Sequence, residues 1–298
     1  MKQTLALCLL LSISACSSMK KTESKSETAQ GLKVLWELNE QDGISNPESA
    51  YYDQASGSLF LSQVAGSPDG ADGKGWIVKA DASGKVIEKE WVKGLNAPKG
   101  MRSYKGVLWV SDLNRVVAID IKSKRILHNI KINSAKFLND IAIDNSGTVY
   151  ISDTFANRIF TITNGNQVGL FSQGDQLEAP NGLLVQGNTL FLSTWGKGIG
   201  KDFSVKAPGN LYKIDLRTKK QTKITPKNLG NLDGLEMKES TFLISDWMNG
   251  KVFEVSAQGE AKEILSGFKG SADIGFIKEG SVLVVPRMME NKVTAYQL

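Results

Sequence analysis

Six polar residues recur at matched positions along this 298-residue chain: Glu48, Lys99, Asn139, Asn181, Asp233 and Asp273, spaced by 51, 40, 42, 52 and 40 residues. Each lies near the start of a short apolar segment. The segments are Pro47-Glu48-Ser49-Ala50-Tyr51, Pro98-Lys99-Gly100-Met101, Leu138-Asn139-Asp140-Ile141-Ala142, Pro180-Asn181-Gly182-Leu183, Leu232-Asp233-Gly234-Leu235 and Ala272-Asp273-Ile274-Gly275-Phe276. If such repeats surround an axis, their polar members form a ring at one mouth of a central channel. Glu48, Asn139, Asn181 and Asp233 would then converge as hard oxygen donors. That set suits calcium or another hard divalent cation, since calcium takes about six to eight oxygens from carboxylates, amide carbonyls and waters. The two carboxylates supply −2 against +2. Lys99 complicates the ring, because an ammonium opposes a cation unless it points away or pairs with Asp273. A plainer alternative is that Asn-Gly and Asp-Gly simply make turns. That accounts for Asn181-Gly182 or Asp233-Gly234 singly, but not for Glu48 or the shared register.

The elements that must position these residues are β-strands. After each segment and a Gly- or Asn-bearing turn comes a β-rich run: Leu59-Phe60-Leu61-Ser62, Leu108-Trp109-Val110-Ser111, Val149-Tyr150-Ile151-Ser152, Leu190-Phe191-Leu192-Ser193, Phe242-Leu243-Ile244-Ser245 and Val282-Leu283-Val284-Val285. A third run with period-two alternation follows each, and fourth, more polar runs (86–91, 125–132, 221–224) suit an outer edge. Four antiparallel strands per roughly 40-residue period describe a propeller blade. The expected fold is therefore all-β, a six-bladed propeller over 31–298. The last repeat stops after its third strand, and 32–38 at the front can supply the missing fourth, closing the ring and removing exposed edges. The links between second and third strands lie over the ring mouth. The two longest, 63–75 and 194–209, belong to opposite blades and look like flaps enclosing a substrate. Trp195 and Trp247 start such links and could line a pocket. Asp112, Asp153 and Asp246 fall near the rim, where turn capping is an equally good account.

Composition excludes several other classes. One His and two Cys leave no three-His site, His dyad, Cys-rich zinc site or disulfide scaffold. The net charge of +5 has no basic block in the body of the chain, which argues against nucleic acid as a partner. Asp69-Gly70-Ala71-Asp72-Gly73 lacks the alternating acids of an EF-hand. Gly196-Lys197-Gly198-Ile199-Gly200 fits no phosphate-binding fingerprint. No nucleophile elbow is present, and His128 falls in a polar outer run.

At the front, Lys2 precedes an apolar run over 5–13, too short for the ~20 residues that span a bilayer, so it reads as a secretory signal. The run ends in Ile13-Ser14-Ala15-Cys16, which resembles a bacterial lipobox. The resemblance implies cleavage before Cys16, lipidation of its thiol, and a domain in the periplasm held to the membrane by that anchor alone. Ser17 after the Cys favours the outer membrane. Residues 17–30 are rich in Ser, Lys, Thr and Glu and read as a flexible tether. A monomer is expected.

From residue 31 onward the chain resembles the regucalcin–gluconolactonase (senescence marker protein-like) superfamily, with relatives in diisopropyl fluorophosphatase and the paraoxonases. The Glu48 segment, Asn139-Asp140, Pro180-Asn181-Gly182-Leu183 and Leu232-Asp233-Gly234-Leu235 carry the resemblance. It implies a divalent ion held by Glu48, Asn139, Asn181 and Asp233, and hydrolysis of lactones or related esters. Asp233 would act as general base or nucleophile on a small-molecule substrate bound with help from Lys99, Arg102, Trp195 and Asp273. Departures are clear: the paraoxonase-type His pair is absent, and Ser49 stands where relatives place an Asp for a second calcium. Blade 2 presents Lys99 and Arg102, so Arg recognition of a sugar acid does not carry over directly. A non-catalytic propeller lipoprotein, binding a small ligand or a partner protein at the same mouth, is the alternative.

Overall fold

A computed structural model describes residues 31–163, 166–268 and 270–298. The expected signal segment, Cys16 and the tether at 17–30 lie outside these residues. Six four-stranded antiparallel sheets surround a common axis. Their innermost strands are Pro47–Asp53, Pro98–Tyr104, Leu138–Ile143, Pro180–Gln186, Leu232–Lys238 and Gly275–Ile277, for blades 1 to 6 in order. The ring closes as expected: Lys33–Leu38 pairs antiparallel with Lys292–Gln297 and becomes the outer strand of blade 6. Closure is reinforced at the axis, where Ala50 N donates to Asp273 O at 3.0 Å and Asp273 N to Glu48 O at 2.8 Å.

Burial falls from axis to rim, and composition follows it. The second strand of blade 1, Ser58–Gln63, is buried throughout, while the outer strand of blade 2, Ile126–Lys131, is almost wholly exposed. Strands covered on both faces need continuous apolar runs rather than alternation. The core is divided into six clusters, one between each neighbouring pair of blades. Between blades 1 and 2, Phe60, Ile77 and Trp91 meet Met101, Leu108 and Val117. Each blade is thus apolar on both faces, and no blade buries its surface without its neighbours. Among the described residues no helix is long and apolar enough to cross a membrane.

Candidate active site at the channel mouth

In five blades the antiparallel register slips near the start of the inner strand: between Pro47 and Ser49, Pro98 and Met101, Leu138 and Ile141, Pro180 and Leu183, and Leu232 and Leu235. Glu48, Lys99, Asn139, Asn181 and Asp233 all lie inside these irregularities. A bulge re-aims the side chains it carries, which turns these five toward the channel mouth. Asn181-Gly182 and Asp233-Gly234 therefore sit within strands, not turns. The glycine serves close approach of the next blade. A Cβ on Gly182 would lie 2.2 Å from Asp233 O, and one on Gly234 2.3 Å from Ile274 N.

Serines at the end of the second strands secure the bulges. Ser62 Oγ accepts from Ser49 N at 2.9 Å, and Ser152 Oγ accepts from Asp140 N at 2.8 Å. Ser245 Oγ accepts from Gly234 N at 2.8 Å and donates to Ala272 O at 2.7 Å, tying blade 5 to blade 6. Ser193 Oγ donates to Asp233 O at 2.6 Å. A serine stands at this place in five of the six repeats, with Val285 in the sixth, a signal that repeat reading alone leaves without a role.

Above the bulges lies a chamber of about 450 Å³ with Glu48, Lys99, Asn139, Asn181 and Asp233 at its polar end. Both long flaps contribute to its wall, with Gly66 and Pro68 from one and Trp195, Asp202 and Phe203 from the other. Trp247 lines it too, 6.0 Å from Trp195 between ring centroids. Phe137, Thr154, Met248, Met288 and Met289 also line it. Sequence reading did not single these out, because they come from short links with no distinguishing pattern.

The electrostatics of the polar end are those of carboxylates short of countercharge. Burial, then the charge of Asp233, holds Glu48 well above the usual carboxylate range, with Lys99 opposing. Asp233 is pushed up to about 8, by burial first and by Asp140 next, again against Lys99. Glu48 Oε2 and both polar side-chain atoms of Asn181, Oδ1 and Nδ2, are buried and have no hydrogen-bond partner among the described residues. Buried polar atoms are nearly always satisfied in folded proteins, so unpartnered atoms on two residues that line the same chamber mark a place for a bound group. With Asp233 and Asn139 beside them, the donor set fits a hard divalent cation.

Lys99 does not pair with Asp273. Its Nζ donates to Pro68 O and Ala97 O, both at 3.1 Å, and lies 4.5 Å from the Phe137 ring centroid. Burial lowers its pKa, with Glu48 the chief opposing charge. The 63–75 flap carries the carbonyl of Pro68, so part of the ammonium is anchored away from the carboxylates.

Arg102 and Asp273, expected to meet substrate, do not line the chamber. Arg102 lies three residues beyond Lys99, roughly 10 Å along the strand, and faces the opposite end of the channel. There it pairs with Glu236 at 3.0 Å and lies 5.3 Å from the Tyr51 ring centroid. Asp273 is buried below the mouth and accepts from Ser49 Oγ at 2.5 Å. Asp140 lies in the same layer, accepting from Leu183 N at 2.7 Å and Ile141 N at 2.6 Å. The rim aspartates cap backbone: Asp112 receives Asn96 N and Ala97 N, Asp153 receives Lys136 N and Phe137 N, and Asp246 receives Asn231 N. His128 is exposed on the outer strand of blade 2, its Nδ1 2.9 Å from Asn166 Nδ2.

The fold and mouth define a six-bladed propeller with a buried polar end to its channel. No family model matches the chain, and no curated protein matches it. Solved structures do. A Xanthomonas campestris gluconolactonase superposes with a TM-score of 0.65 at 13% identity over 91% of each chain. A catalytically inactive histidine-to-alanine variant of Staphylococcus aureus virginiamycin B lyase, solved with quinupristin, gives 0.58 at 14% identity over 90% of this chain and 99% of that one. A chain of a nidogen–laminin complex gives 0.63 at 16% identity, covering 76% of this chain and 87% of that one. At these identities the likeness is one of fold.

Proposed function

We propose that the protein is a divalent-cation-dependent hydrolase of lactone or related ester substrates, acting at this channel mouth and tethered to the bacterial outer membrane through a lipid on Cys16. The observation that carries the reading is the set of buried, unpartnered atoms on Glu48 (Oε2) and Asn181 (Oδ1 and Nδ2), in the chamber that Asp233 and Asn139 also line. Calcium bound there would supply Lewis-acid polarisation of the substrate carbonyl and stabilise the developing oxyanion. Glu48, Asn139 and Asn181, with Asp233, would hold such a cation, and it would orient the carbonyl. Asp233, which a bound cation would keep ionised, takes a proton from the attacking water as the water oxygen bonds to the carbonyl carbon. The same carboxyl returns that proton to the alkoxide oxygen as the ester C–O bond breaks, leaving a hydroxy acid. Lys99 restrains the flap through Pro68, and the aromatic wall keeps bulk water from the reacting atoms.

The resemblance in fold to a lyase does not transfer its chemistry. That enzyme is inactive when a histidine is replaced by alanine, whereas the single histidine here, His128, stands on an outer edge away from the mouth. A non-catalytic reading is favoured by one feature, the exposed Met248 and Met289 at the chamber rim, 43% and 64% accessible. A propeller bound to another protein also stands among the structural neighbours. Kinetics on a lactone panel with calcium added and with EDTA separate the two. Turnover lost with EDTA and with Asp233→Asn supports hydrolysis. No turnover under any condition, with ligand or partner binding indifferent to that substitution, supports the alternative.

A further inference from the structure

The walls of the chamber differ sharply from its polar end, and that difference bears on the part of the substrate that does not react. Phe137, Phe203, Trp195 and Trp247 form one run of ring contacts, with centroid separations of 5.9, 5.7 and 6.0 Å in that order. Met248 and Met289 continue this surface toward solvent. Several polar atoms within the wall are committed to the protein, and the polar side chains that remain in the lining are Asn46 and the exposed Asp202 carboxylate. Trp195 Nε1 donates to Phe203 O at 2.9 Å. Thr154 Oγ1 donates to Pro180 O at 2.9 Å and accepts from Asn139 Nδ2 at 3.3 Å. Asp202 Oδ1 accepts from Ser204 Oγ at 2.7 Å.

A polyhydroxylated ring placed here would press several hydroxyls against indole, phenyl and thioether groups. Each buried hydroxyl left without a partner costs roughly tenfold in kcat/KM. An alkyl or aryl group meets no such penalty. Methionine adapts to irregular apolar shapes, which suits a rim that receives chains of differing length. We infer that the substrate is an apolar lactone or ester, with its carbonyl at the Glu48–Asp233 end and an aliphatic or aromatic substituent against the Trp195–Trp247 wall, and not a sugar lactone. This specificity rests on the hydrolase reading above, but the apolar preference of the chamber can be measured apart from turnover.

The experiment uses γ-lactones bearing 4-alkyl chains from methyl to hexyl, with D-glucono-1,5-lactone for comparison, all at saturating calcium. The transfer free energy of a methylene predicts that kcat/KM rises about threefold to fourfold per added CH₂ until the chamber is filled. By the hydroxyl penalty, gluconolactone should fall at least about 100-fold below the best alkyl lactone. Trp247→Ser and Met289→Ser should each flatten the rise per methylene, an effect that general loss of folded protein does not produce. A flat or falling series, or gluconolactone matching the alkyl lactones, overturns the inference.

The second arm is binding of 3-alkylcyclopentanones, which carry the alkyl group where the 4-alkyl γ-lactones do and cannot be hydrolysed, followed by calorimetry. Affinity should rise by the same factor per methylene. If no lactone turns over but the ketones bind with that increment, the hydrolase reading fails and the apolar site stands. If the ketones do not bind, or bind without regard to chain length, the apolar site fails.

Discussion

Replacing Asp233 by Asn should stabilise the cation-free protein, and the effect should depend on pH in a defined direction. In the fold this carboxyl is pushed up to about 8, chiefly by burial and then by Asp140, while in the unfolded chain it titrates near its ordinary 3.8. Below about pH 4 both states hold the proton and the group is neutral to stability. Between about pH 4 and 8 the unfolded chain releases a proton that the fold retains, so stability falls as pH rises. At about 1.4 kcal/mol per pH unit the whole interval corresponds to ~6 kcal/mol as an upper bound. Relaxation of the site brings the working value to about 2–4 kcal/mol. The carboxamide that replaces the acid does not titrate. In EDTA at pH 8, D233N should therefore melt about 5–10 °C above wild type, and at pH 4.5 the two should differ by less than about 3 °C. Circular-dichroism melts at both pH values check this. Calcium should then raise the wild-type midpoint substantially and that of D233N little, because the substitution removes a ligand along with the charge. The reasoning fails if D233N is the less stable protein in EDTA at pH 8, or if its stability falls with pH as steeply as wild type.

Three further outcomes are expected. Glu48→Gln keeps the shape but removes one of the two carboxylates, so calcium affinity measured by calorimetry should weaken at least about tenfold; unchanged affinity would remove Glu48 from the site. Gly182→Ala forces a methyl to within 2.2 Å of Asp233 O, a main-chain atom of the next blade that cannot swing aside. Overpacking of this kind should cost about 1–3 kcal/mol, read as a lower urea midpoint, with loss of calcium binding as blades 4 and 5 separate. Full-length protein expressed in a bacterium with an alkyne fatty acid should become labelled, and Cys16→Ala should not; equal labelling of both would refute lipidation at Cys16.

The structure also makes Arg102 a different residue from the one its position suggested. Lys99 and Arg102 are neighbours on one strand, yet they serve opposite ends of the channel. Burial works against the Arg102 charge, but Glu236, then Asp140 and Asp273, outweigh it and hold the guanidinium above its ordinary pKa. The channel interior thus carries its own fixed cation among those carboxylates, below the chamber where the Glu48 and Asn181 oxygens remain unpaired.

What the sequence determined by itself was the repeat and its consequences: six blades, the closing strand, and the placement of Glu48, Asn139, Asn181 and Asp233 at equivalent points of a ring. Those follow from periodicity, because strand alternation and turn spacing are local properties of the chain and symmetry does the rest. Tertiary structure alone decided which way each ring member points. A bulge of one residue reverses a side chain's face, and nothing local in Pro98-Lys99-Gly100 announces that Lys99 will find Pro68 and Phe137 and not Asp273. It also decided the character of the chamber wall, since Phe137, Phe203 and Met289 line one cavity only when links from different blades fold over the same mouth. Contacts made between chain segments distant in sequence, set by how whole blades pack, leave no pattern in any one segment.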